Sequence, residues 1–249
     1  MSSDSKDRIL ARIRAANRAA GANGTAGRPP ADGTAGRAPA DGRAGTDADA
    51  AYAALSREYL RAHHDAGAHA ITGLFAERAA DYRAVVERVP GSGPAGSGLA
   101  AAVARVLAAR AEAVPGSFAI PDGLPGGWLA ELPGEITLAR DEPPLPAAEL
   151  DRLSGVVTGC AVAIAETGTI ILDHGPGQGR RALTLVPDFH LVVVRADQVA
   201  ADLADAFARL DPARPHTLIS GPSATSDIEL IRVEGVHGPR NLHVLIAEA

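Results

Sequence analysis

Two apolar runs, at 162–165 and 170–172, flank the polar triplet Glu166-Thr167-Gly168 and predict two strands joined by a tight turn. Further on, FHLVVVR (189–195) reads as a buried strand, ADQVAADLADAFARL as a helix and HTLIS (216–220) as another strand. That order predicts parallel strands with a right-handed crossover. LHVLIAEA supplies a last strand. Upstream, AYAALSREYLRAHHDA, HAITGLFAERAADYRAVVERV and LAAAVARVLAARAEAV repeat apolar residues at helical spacing, with GSGPAGSG (91–98) as a flexible break. Beyond Pro115 come the short runs SFAI and EITLAR and a helix near AAELDRL. Short strands alternating with helices predict an α/β fold, an open and mostly parallel sheet flanked by helices, with a helical N-terminal part.

The first fifty residues read differently. Residues 5–20 can form a short helix with Ile9, Leu10 and Ile13 on one face, either a docking helix or a frayed terminus. GTAGRPPAD (24–32) recurs as GTAGRAPAD (33–41), and a repeat of this composition buries too little apolar surface to offset ordering. The expected organisation is therefore a short N-terminal helix (1–20), a disordered repetitive linker (21–50) and an α/β domain (51–249).

Composition narrows the chemistry. Aromatics make up 3% of the 249 residues, so the core must be built from Ala, Val, Leu and Ile. A net charge of −6 argues against a general nucleic-acid surface. Eight basic and six acidic residues lie in the first fifty, leaving −8 for the remainder. A single cysteine, Cys160, excludes an internal disulfide and cannot alone hold an iron–sulfur cluster, which takes about four thiolates. It reads as a buried small side chain. With no signal peptide and no spanning apolar run, a soluble cytoplasmic protein is expected.

The candidate chemistry clusters in TGCAVAIAETGTIILDHGPGQGRR (158–181). Gly175, Gly177 and Gly179, with Gln178 between them, can turn backbone N–H groups toward a ligand, and Arg180 and Arg181 add charged donors, so this loop is a candidate anion site. It is neither a dinucleotide fingerprint nor a Walker loop, because no helix and no Gly-Lys-Ser/Thr follows. Glu166, bounded by apolar runs, is expected to be half-buried. It is either a catalytic carboxylate or a turn-stabilising one, with Thr167 and Gly168 beside it. Ser223, Thr225, Ser226 and Asp227 follow a strand, and Ser226 with Glu229 has capping-box spacing, so a second set of anion-binding donors is expected there. Asp173, His174 and His237 could face the same cleft. Trp128 is either a buried anchor or a stacking platform. The adjacent His63 and His64 point apart on a helix and make no metal pair, and no metal site is expected.

Two long stretches, GVVTGCAVAIAETGTIILDHGPGQGRRALTLVPDFHLVVVRADQV and HTLISGPSATSDIELIRVEGVHGPRNLHVLI, resemble the LUD domain of the lactate-utilisation protein C family. The resemblance extends more loosely back to about residue 51. The repetitive linker is a departure from it. The resemblance implies a cytoplasmic component of a bacterial system oxidising L-lactate to pyruvate beside two iron–sulfur partner proteins, with no cofactor on this chain. It also implies a fold similar to ribose-5-phosphate isomerase and coenzyme A transferases, in which a turn similar to AETG carries an acyl-transfer glutamate, here Glu166. A stand-alone transferase or thioester-processing enzyme using Glu166, or a non-catalytic binding module, are the alternatives.

Overall fold

The computed structural model describes residues 54, 67–92, 98–112, 116–225, 233–235 and 237–248. The chain divides into two units, Met1–Glu58 and Tyr59–Ala249. Of the first, Ala54 alone is described, as an exposed turn residue. The expected N-terminal helix, the repetitive linker, His63 and His64, and the Ser226/Glu229 capping box lie outside the described residues.

The second unit opens with helix α1 (Ala68–Asp81), strand β1 (Val85–Pro90) and helix α2 (Leu99–Ala111). The stretch expected as one helix over HAITGLFAERAADYRAVVERV is thus a helix followed by a strand. The helix stops in a Schellman arrangement: Arg83 N–H donates to the Ala80 carbonyl and Ala84 N–H to that of Ala79. Arg83 takes the left-handed position (φ 69°), where glycine is usual. The β-branched Val85, Val86 and Val89 then favour an extended chain.

Next come β2 (Ser117–Ile120), a 3₁₀ turn at Gly126–Leu129, β3 (Thr137–Arg140) and a single helical turn, α3 (Ala147–Leu150). They lead into β4 (Gly155–Thr158), β5 (Val162–Ile164) and β6 (Thr169–Leu172). A 3₁₀ turn at Arg181–Thr184 precedes β7 (Phe189–Arg195), after which come β8 (Val199–Ala200) and α4 (Leu203–Ala208). The chain continues through β9 (Thr217–Ile219), β10 (Ala224–Thr225) and β11 (Val233–Glu234) to β12 (Asn241–Glu248).

Six strands form an open sheet in the order β1-β12-β7-β4-β2-β3, every neighbouring pair parallel. Both faces are covered, which is why β7 and β12 read as unbroken apolar runs. On one face Leu191, Val193 and Leu245 pack with Val103, Val106 and Leu107 of α2 and with Phe118; the half-buried Trp128 packs against the same cluster. On the other, Val192, Val194, Val244 and Ile246 meet Phe75 and Ala79 of α1 and Ile170 and Leu172 of β6.

The second sheet has the order β8-β5-β6-β9, with β5–β6 and β6–β9 antiparallel. The expected β-α-β unit is therefore corrected. HTLIS pairs with β6 in this smaller sheet, not beside β7. The expected helix is also divided: Val199-Ala200 pairs with β5, and Asp202 starts a fresh helix by accepting a hydrogen bond from the Asp205 amide at 2.8 Å. Among the described residues no helix is long and apolar enough to cross a membrane.

Candidate functional site

The β5–β6 turn projects beyond the ends of its strands, and this exposes Glu166 where half-burial was expected. Its amide donates to the Ala201 carbonyl at 3.1 Å, while its carboxylate makes no side-chain hydrogen bond among the described residues. It lines a cavity of about 320 Å³ with Thr167, Arg78, Asp81 and Tyr82. The Thr167 and Thr169 hydroxyls bond elsewhere. Thr167 Oγ1 donates to Thr169 Oγ1 at 2.8 Å, which meets Ser220 Oγ at 2.9 Å. Gly168, at φ +61°, presses its backbone against the end of α1.

The glycine loop is closed on itself. Gly175 N–H donates to Asp173 Oδ1 (3.0 Å), Gly177 N–H to the Asp122 carbonyl (2.7 Å) and Gln178 N–H to the Gly175 carbonyl (3.1 Å). The buried Gln178 side chain clamps Asp173, accepting from its amide at 2.7 Å and donating to Oδ1 at 2.6 Å. The Gly177 carbonyl in turn accepts from Gly159 at 2.8 Å, tying the loop to the carboxyl end of β4. These amides, expected to face a ligand, serve the protein's own acceptors. Asp173 also pairs with Arg214 at 3.1 Å, and His174 bridges the Gly179 carbonyl and the Thr217 hydroxyl.

The two arginines separate. Arg180 forks onto Asp141 (2.7 and 2.9 Å) and reaches the Leu145 carbonyl at 2.6 Å. Burial pushes the Asp141 carboxyl up, but the Arg180 hydrogen bonds, the Leu145 amide and the Arg180 charge hold it below the usual carboxylate range. Arg180 is thus occupied in a structural clamp. Arg181 touches the Thr184 hydroxyl (3.2 Å) and the His237 carbonyl (3.3 Å) and has no carboxylate partner among the described residues.

Arg181 lines a cavity of about 200 Å³ together with Ser220, Ser223, Thr217, His190 and His237. The loop after Arg180 and the loop after β9 therefore do converge, through Arg181 on one side and residues 220–224 on the other. The cavity follows the carboxyl end of β9, in the smaller sheet. In the six-stranded sheet it lies against the amino ends of β7 and β12, at His190 and Leu242. Ser223 holds its far wall, donating its amide to the Pro239 carbonyl and accepting the His237 amide on Oγ at 3.0 Å. Thr225 pairs with Val233 in the β10–β11 hairpin; Ser226 and Asp227 lie outside the described residues.

His190 was not singled out by the sequence, because it is one polar residue in an apolar strand. It is 1% exposed, and its Nε2 sits 2.7 Å from Thr158 Oγ1. Burial, and then the Arg181 charge, push its pKa down to about 3, so a neutral imidazole lines the cavity. Cys160 is buried just past β4, where desolvation pushes its thiol up to about 12. That thiol stays protonated. Among the described residues no three His, Cys, Asp or Glu side chains gather as metal ligands.

The LUD domain family matches residues 148–247, which carry β4 through most of β12 and every residue of this cavity. A "Lactate utilization protein C" from Deinococcus radiodurans is 48% identical over 176 residues, covering 69% of this chain and 77% of that protein. One of the same name from Halalkalibacterium halodurans is 33% identical over 102 residues, covering 37% of this chain and 43% of its own. A crystal structure of a DUF162 family protein from Deinococcus radiodurans superposes with a TM-score of 0.59 at 41% identity, over 73% of this chain and 99% of that one. With such identity over more than two thirds of a relative, the chain belongs to the LUD-domain family of lactate utilization protein C proteins.

Proposed function

We propose that the chain is a component of a lactate-utilisation system and that its Arg181 cavity binds a small carboxylate, L-lactate or its oxidation product. The observation that carries this reading is Arg181 itself, a guanidinium without a counter-charge among the described residues, in a small cavity rimmed by serine and threonine hydroxyls. A guanidinium fork and neighbouring hydroxyls match the oxygens of a 2-hydroxy acid, and a neutral His190 leaves the Arg181 charge for the ligand. Relatives named for lactate utilization supply the pathway. With a single, protonated cysteine this chain binds or positions substrate, and electron transfer falls to iron–sulfur partner proteins in the cytoplasm.

A second reading makes Glu166 a nucleophile in thioester or acyl transfer. Its support is an exposed carboxylate, without a side-chain hydrogen bond among the described residues, beside a cavity of its own. One growth assay separates the two. In a strain lacking this chain, with L-lactate as carbon source, wild type and Glu166→Gln should both restore growth if the Arg181 cavity is the working site. If Glu166 reacts with substrate, the folded Gln variant should lose activity by about 100-fold or more and fail to restore growth.

A further inference from the structure

A second cavity, of about 390 Å³, lies on the opposite face of the six-stranded sheet from the Arg181 cavity. Its walls are the second half of α2 and the amino ends of β1, β7 and β12. The floor is apolar: Val106 of α2 and Phe189 of β7 are each less than a tenth exposed. Arg83, Arg105, Arg110 and Arg240 stand around it.

Among the described residues, three of these guanidinium groups pair with two carboxylates. Arg105 pairs with Glu87 at 2.7 Å, while Arg110 and Arg240 share Asp188. His243 adds no charge. Burial lowers its pKa, outweighing the opposing pull of Glu87, whose Oε1 lies 2.9 Å from its Nε2. Arg110 stacks over the Phe189 ring at 5.4 Å from its centroid, which fixes one guanidinium against the floor.

Arg83 makes the strongest case. Its side chain makes no hydrogen bond or ion pair among the described residues. It also occupies the left-handed helix-stop position, where a side chain costs about 1 kcal/mol that glycine avoids. The fold therefore gains nothing visible from an arginine there, whereas the cavity gains an uncommitted cation.

We propose that this groove binds a small organic dianion, a phosphate or dicarboxylate carried on an apolar body, with the body on the Val106–Phe189 floor and the charges on Arg83 and its neighbours. Arginine forks suit such oxygens, and removing apolar surface from water adds to the affinity. Of its lining residues the site shares only Leu242 with the Arg181 cavity, and it does not rest on the lactate reading.

Calorimetric titration of the full chain with 1-naphthyl phosphate tests this. One equivalent should bind, and both inorganic phosphate and 1-naphthol should bind at least tenfold more weakly. Arg83→Gly relieves the left-handed strain, so the variant should be no less stable than wild type yet bind the probe at least tenfold more weakly. Ala109→Glu, which adds a carboxylate at the exposed lip on α2, should weaken it similarly. Arg181→Ala should leave it unchanged. No binding by wild type, undiminished binding by Arg83→Gly and Ala109→Glu, or loss of binding in Arg181→Ala would each overturn the proposal.

Discussion

Gly168→Ala is expected to destabilise the protein by about 3 kcal/mol, one of the largest effects of a single methyl group in this fold. The glycine sits at φ +61°, where an L-residue is strained by about 1 kcal/mol. An added Cβ would also lie 2.6 Å from the Ala79 nitrogen and the Arg78 carbonyl carbon, and 2.8 Å from the Arg78 oxygen. All three are backbone atoms within α1, so no side-chain rotation can relieve the contact. Either the β5–β6 turn lifts off the helix, or the helix end distorts. For a body of this size the loss should lower the melting temperature by about 6–12 °C, which thermal unfolding followed by circular dichroism can measure. A drop under about 2 °C would mean the turn does not rest on α1 as described.

The second large effect is acid lability traced to His190. Its imidazole has a reference pKa of 6.5 and a folded value near 3, lowered first by burial and then by Arg181. The folded state therefore binds fewer protons than the unfolded state between those values. The stability this group contributes is fully present above pH 6.5, falls as pH drops below it, and stops falling near pH 3. At about 1.4 kcal/mol per pH unit, the loss from pH 6.5 to pH 4 is about 3 kcal/mol. His243, also lowered by burial, acts in the same direction. Carboxylates held low, such as Asp141 and Glu87, add their own loss at still lower pH, so wild type alone cannot isolate His190. The comparison with His190→Gln does. Urea unfolding at pH 7, 5.5 and 4 should show a flatter profile for the variant, by about 3 kcal/mol across the window. Parallel profiles would place a protonatable, solvated imidazole at this position.

Much of the α/β architecture was legible because the strands that carry it are short apolar runs. β5, β6, β7 and β12 were each visible in the sequence, as was the turn at 166–168. What escaped depends on partners far along the chain. Nothing local to Thr217–Ile219 reveals that these residues pair with β6 and not with the parallel sheet. The stop of α1 was hidden because Arg83, not a glycine, adopts the left-handed conformation. In the glycine loop the residue types pointed to free amides, but Asp122 takes the Gly177 amide and Asp173 that of Gly175. Adjacent arginines looked equivalent until Asp141, 39 residues before Arg180, claimed one of them. His190 gave a faint signal, an imidazole inside an apolar strand, which calls for a buried partner and found one in Thr158.

The measurement closest to the central claim is a calorimetric titration of L-lactate into the full-length protein at pH 7, repeated with Arg181→Ala and Arg180→Ala. The account predicts one site in wild type and at least tenfold weaker binding in Arg181→Ala, about 1.4 kcal/mol or more. Arg180→Ala, which breaks a structural clamp outside the cavity, should change affinity by less than about threefold even though it lowers stability. No lactate binding by wild type, or an Arg181→Ala affinity within threefold of it, would contradict the assignment of this cavity as the carboxylate site.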